Sequence, residues 1–203
     1  AAALSSSLEA ACRDRPLLLS CEGLSGDIPG RAGVSEYAAA VELAPVIARV
    51  VRHHGYSGAT LLFSLRDPQD WLFSAYLHNI RGTRLDMDFA EYAAAFRRSA
   101  DLRGIVDRVR AACPDNPVTT SRLVDTTEAR FGPATPLLAP FELPEEVLSR
   151  LIPPRFVNPA LPAALITPFR RLNRGPLTGK ALKAAKARLL AGSAAEQPDT
   201  AAR

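Results

Sequence analysis

Arg66 ends the apolar run "LLFSLR", Asp67-Pro68 follows at once, and Ser74 stands eight positions beyond the arginine. An arginine that closes a buried strand leaves its guanidinium fork at the strand edge, where it can hold a phosphate or carboxylate through paired hydrogen bonds. Asp67 suits a helix N-cap and Pro68 the first helical position. The exposed amides of that helix then face the same edge and favour an anion there. Ser74, about two turns in, offers a neutral donor on the face turned back toward the strand. The spacing describes an anion clamp made of one charged fork and one hydroxyl. The plainer alternative pairs Arg66 with Asp67 or Asp70 and lets Ser74 fill a helix face, since surface ion pairs of this kind are common and weak.

Glu22 is a second residue of chemical interest. It closes the run "PLLLSCE" at what would be the same sheet edge, where partial burial raises a carboxyl pKa toward that of a useful general base. Its alternative is a loop carboxylate that caps a helix or pairs with an arginine. His53 and His54 end a helix before Gly55, where a cation is favoured by the helix dipole. His78 lies one turn past Ser74 and reads as a solvated helix residue. Cys12, Cys21 and Cys113 are too few and too scattered for a disulfide framework or a metal site, so no metal is expected.

Positioning these groups requires strands and helices in alternation. "RPLLLSCEGLSG" reads as a buried parallel strand entering a loop, and "SEYAAAVELAPVIARVVRHHG" as a helix capped by Ser35, stopped by Gly55 and open to a kink at Pro45. "ATLLFSL" is a second buried strand. Strand, helix, strand, helix predicts an α/β domain with a parallel sheet flanked by helices. Beyond Ile80 the chain turns helix-rich. Asp88 and Asp101 cap two helices, "VTTSRLVD" is a further strand, and "PEEVLSRLI" and "ALPAALITPFRRLN" are helical pieces among clustered prolines. "GPLTGKA" joins a turn to a helix start, and "LTGKALKAAKARLL" is a helix whose lysines line a solvated face.

The 203 residues suit one domain over 1–190, with 191–203 a disordered tail. A net charge of +4 permits an anionic ligand but is too modest and dispersed for a nucleic-acid groove. No apolar run approaches the roughly 18 residues of a membrane helix, and no secretory leader is visible, which predicts a soluble, cytoplasmic protein.

The run "LLFSLRDPQDWLFSAY" resembles the 3′-phosphate-binding segment of sulfotransferases that use 3′-phosphoadenosine-5′-phosphosulfate (PAPS). In order along the chain, "LLLSCEGLSG", "MDFAEYAAAF" and "FELPEEVLSRLIPPRFVNPALPAALI" are similar to further segments of bacterial members, together covering about residues 16–175. The resemblance implies a P-loop NTPase-like fold and transfer of a sulfuryl group to the hydroxyl or amine of a small-molecule or carbohydrate acceptor. It assigns the 3′-phosphate to Arg66 and Ser74, with Arg174 and Gly175 as a late contact to the nucleotide. Asn158 would stabilise a turn. The family's glycine-rich phosphosulfate loop has no counterpart in the sequence, so the first strand and loop are expected upstream of Ala1. Without them the alternative is a non-catalytic nucleotide- or anion-binding module, and an isolated chain prone to aggregate at the edge of its sheet.

Overall fold

The computed structural model describes residues 2–9, 15–20, 22–31, 33–56, 58–153 and 160–195. It is an α/β arrangement in which two parallel strands, β1 (Leu61–Leu65) and β2 (Val118–Arg122), pair in register from Leu61 opposite Val118 to Leu65 opposite Arg122. Between them run α3 (Pro68–Gly82), α4 (Phe89–Phe96) and α5 (Leu102–Ala112), and before them α1 (Ala2–Glu9) and α2 (Ala38–His53). After β2 come the single turns α6 (Thr135–Leu138) and α7 (Glu145–Leu148), then α8 (Ala163–Arg174) and α9 (Gly179–Ala195).

The helix starts follow their capping chemistry. Asp67 accepts from the amides of Gln69 (2.9 Å) and Asp70 (3.4 Å), with Pro68 at the first helical position. Asp88 and Glu91 form a reciprocal capping box on α4, and Asp101 accepts from Gly104 at the start of α5 (2.9 Å). α2 runs unbroken through Pro45 and stops at Gly55, whose φ of +89° suits glycine. There the Gly55 and Tyr56 amides return to the Arg52 and Val51 carbonyls in a Schellman closure.

Two cores flank α3. The larger packs Trp71, Leu72, Ala75, Tyr76, Leu77 and Ile80 of α3 against Tyr92 of α4 and Leu165 and Phe169 of α8. The smaller joins Ala44 of α2 and Val109 and Cys113 of α5 to Leu61, Phe63 and Val118 of the strands. Burial pushes the Cys113 thiol pKa up, as suits an inert packing residue. Cys12 and Cys21 lie outside the described residues.

Several expectations are corrected. The strand expected at residues 16–20 is irregular backbone: Leu18 is 43% exposed, whereas a parallel strand is covered on both faces, and no described strand lies beside it to complete a ladder. Ser35 does not cap α2, which begins at Ala38 after Tyr37. Residues 191–195 of the expected tail continue α9, and 196–203 lie outside the described residues. The lysines of α9 do not all line a solvated face, because Lys186 is 6% exposed. Among the described residues no helix is long and apolar enough to cross a membrane.

Candidate functional site: an arginine-lined cleft at the strand ends

Both strands end at the same edge, β2 on an arginine and β1 one residue before one. β1 leads through Leu65 into Arg66, and β2 closes on Arg122, whose register partner is Leu65, so the two arginines are offset by one residue at the same edge. The start of α5 adds Arg103. A cleft of about 240 Å³ is lined there by Leu65, Arg66, Arg103 and Arg122, and by the starts of α3 and α5. It is smaller than the roughly 300–1,000 Å³ of a typical small-molecule site. Its size and lining suit one anionic group.

Electrostatics at this edge favour an anion. The two carboxylates in the lining, Asp67 and Asp101, both accept from helix amides. Among the described residues neither Arg66 nor Arg103 forms an ion pair, so the expected alternative of Arg66 paired with Asp67 or Asp70 is not adopted. Arg122 reaches Asp125 at 3.8 Å, with both side chains mostly in solvent. Three guanidinium groups therefore border a space faced by the N-termini of two helices of 15 and 11 residues, whose dipoles add in sign to the arginines.

No protein-family model, curated protein or solved structure matches this chain. The site is therefore read from its own geometry.

Ser74 is half-buried on α3, about 10 Å along the helix from Asp67, and is not among the residues lining the cleft. The strand-helix unit thus positions both members of the expected clamp, but only Arg66 borders the cleft. Glu22 opens a 3₁₀ turn, Glu22–Ser25, that packs on α2. His78, one turn beyond Ser74, is exposed and has its Nε2 2.8 Å from Nη2 of Arg31. His54 is buried at the end of α2, edge-on to His53. Asn158 lies outside the described residues. Among the described residues no group of three metal-ligating side chains forms.

Arg174 and Gly175 stand at the other end of α3. Arg174 donates to the Asp86 carbonyl (3.2 Å) and faces the Asp86 carboxylate at 3.8 Å, while the Gly175 carbonyl accepts from Arg84 (2.8 Å). Since α3 is about 22 Å long at 1.5 Å per residue, they are not brought to Arg66. Their position follows from α8 packing along α3 toward its C-terminus.

Arg103 and Arg122 were not singled out in the sequence. For Arg122 the signal was available: it closes the run "VTTSR" as Arg66 closes "LLFSLR". Arg103 carries no such mark. It becomes visible only when α5 is seen to start beside β2.

Proposed function

We propose that this chain is a sulfotransferase-like domain in which Arg66, with Arg103 and Arg122, holds the 3′-phosphate of PAPS at the carboxyl edge of a parallel sheet. The observation that carries the reading is the small cleft bordered by three guanidinium groups, two of them without an ion-pair partner among the described residues. The order of strand, Arg-Asp-Pro and helix supports it, as does the placement of anion sites beyond the carboxyl ends of parallel strands. The full fold would be P-loop NTPase-like, with the nucleotide extending out of the cleft. Sulfuryl transfer then requires in-line placement of the acceptor oxygen, cations against the leaving phosphate and a group to take the acceptor proton. As the donor is an intracellular nucleotide, the reaction belongs in the cytoplasm.

A second reading, a non-catalytic anion-binding module, is favoured by one observation: Ser74 does not line the cleft. The deciding test begins with calorimetric titration of adenosine 3′,5′-bisphosphate into the chain, with Arg66→Ala and Arg103→Ala beside it. Saturable binding lost in both variants supports nucleotide recognition. Absence of binding to a demonstrably folded chain overturns it. Transfer of labelled sulfate from PAPS to a panel of acceptors then separates the enzyme from the binding module.

A further inference from the structure

The charge of this chain is unevenly divided. Residues 160–195 hold seven lysines and arginines and no aspartate or glutamate, although the whole chain is only +4, so the remainder is net negative. Packing sorts that segment into inner and outer stripes. On α9, Leu182, Ala185, Lys186, Leu189 and Leu190 turn inward at the spacing of three and four that makes one helix face. The opposite stripe, Lys180, Lys183, Ala184, Ala187 and Arg188, is exposed. On α8 the inner Leu165, Phe169 and Asn173 leave Arg171 and Arg174 in solvent. Both inner stripes reach the Ile80 carbonyl, through Asn173 (3.1 Å) and Lys186 (2.8 Å), so the exposed stripes lie on the side of the hairpin away from α3.

The turn between the two helices completes this surface. Leu177 is 38% exposed at its tip. Arg84 donates to the carbonyls of Gly175 (2.8 Å) and Leu177, which fixes the turn and sets a further cation beside it. Arg174 faces Asp86 and is partly neutralised by it. Arg84, Arg171, Lys180, Lys183 and Arg188 have no carboxylate partner among the described residues.

An anionic partner would answer this charge, and the details of the surface favour one class. Single-stranded nucleic acid is gripped by exposed aromatic rings, whereas Phe169, the one aromatic residue of the segment, is fully buried. A phosphate groove would leave Leu177 without a use, and a protein interface centres on aromatic or arginine anchors, where the outer stripe of α9 offers cations separated by alanines. A bilayer needs neither stacking nor pockets: anionic headgroups take dispersed cations over a flat area, and the acyl boundary takes an apolar tip. We propose that the α8–α9 hairpin docks on an anionic lipid bilayer, with Leu177 entering the headgroup layer and Arg84, Arg171, Lys180, Lys183 and Arg188 against the lipid anions. Because alanines rather than large apolar side chains separate the cations, the attachment is electrostatic and reversible. Each lysine or arginine contributes about fivefold to the binding constant, and raised salt removes most of that gain. The proposal is independent of the PAPS reading, since the hairpin packs on the opposite end of α3 from Arg66.

The test is sedimentation of the whole chain with vesicles of phosphatidylcholine alone and with about 30% phosphatidylserine, at about 0.1 M and about 0.5 M salt. Three variants are compared, each first checked for an unchanged unfolding midpoint: Lys180→Gln with Lys183→Gln, Leu177→Ser, and, as a control, Arg49→Gln with Arg150→Gln, two exposed arginines outside the hairpin. We expect binding to the anionic vesicles only, lost at the higher salt. The lysine pair should weaken it about twentyfold, Leu177→Ser about fivefold and the control pair about twofold at most. Absence of vesicle binding, equal binding to both vesicles, or equal weakening by the control and lysine pairs overturns the proposal. A DNA duplex of about 20 base pairs is titrated in parallel. If it binds more tightly than the anionic vesicles and Leu177→Ser alters neither, the surface is a nucleic-acid face and the bilayer assignment falls.

Discussion

The two ends of α3 handle charge in opposite ways. At its N-terminus the cap is closed locally by Asp67, and Arg66 and Arg103 stand beside it with no ion-pair partner among the described residues. At its C-terminus and in the turn that follows, side chains from α8 and α9 take several backbone acceptors. Lys186 donates to the carbonyls of Ile80 (2.8 Å), Arg81 (3.2 Å) and Thr83 (2.6 Å), and Asn173 donates to those of Ile80 (3.1 Å) and Leu85 (2.6 Å). Arg170 and Arg174 both reach the Asp86 carbonyl. Cations at the C-terminal end thus satisfy a helix that would otherwise end in open carbonyls, in agreement with the sign of its dipole. Cations at the N-terminal end oppose that dipole, and an anion between them and the helix would reconcile the two.

The largest expected effect tests the saturated end. Lys186→Met takes the side-chain donor from the part-buried carbonyls of Arg81 and Thr83, while that of Ile80 keeps Asn173, and should lower unfolding free energy by about 3 kcal/mol in urea titrations. Bisphosphate affinity of the protein that remains folded should not change. An equally large loss of affinity would mean that the two ends are not independent.

At the open end, Arg66→Ala removes a charge-assisted pair of hydrogen bonds and should weaken bisphosphate binding about thirtyfold, equivalent to about 2 kcal/mol. Stability should hold to within about 0.5 kcal/mol, because Arg66 has no protein partner to lose. A marked fall in the unfolding midpoint would assign it a structural role instead.

Next in size is a pH effect of Lys186. Burial lowers its pKa from 10.5 to about 8, with the Arg84 charge adding to the shift. A lysine lowered in the folded state releases its proton there before it does so in the unfolded chain. The unfolded state therefore binds more protons between about pH 8 and 10.5, and stability should rise with pH across that window by roughly 1 kcal/mol per unit at most. Across that range the unfolding free energy of the parent chain should rise relative to that of Lys186→Met, because Cys113, Tyr76 and Tyr92, raised by burial, act in the opposite sense in both proteins.

The smallest effect concerns Arg174. Its contacts to Asp86 are solvent-exposed, so Arg174→Ala should cost about 0.5 kcal/mol or less and leave bisphosphate affinity intact. A clear loss of affinity would return Arg174 to the nucleotide site despite its place at the far end of α3.

What could be read from the sequence was local. Asp67-Pro68, Asp88, Asp101 and Gly55 mark element ends through hydrogen bonds within a few residues of themselves, and each acts where it was expected. β1 and β2 were legible for a similar reason, as apolar or β-branched runs bounded by turn signals. The expected strand at 16–20 failed because a strand depends on a ladder partner that no window of three leucines can reveal. Lys186 failed as a surface residue because the sequence of α9 repeats lysine among alanines on every side. Which of them turns inward depends on where the end of α3 lies.

The same division holds for the site. Sequence alone determined that Arg66 ends a strand and precedes a helix, because strand burial and N-capping are both short-range. Only the tertiary structure decided its companions: the parallel register of β1 with β2 brought in Arg122, and the start of α5 brought in Arg103. It also kept Ser74 out of the cleft lining and carried Arg174 and Gly175 to the far end of α3. Spacing along a chain fixes which face of an element a residue occupies, but the packing of one element on another decides which faces meet.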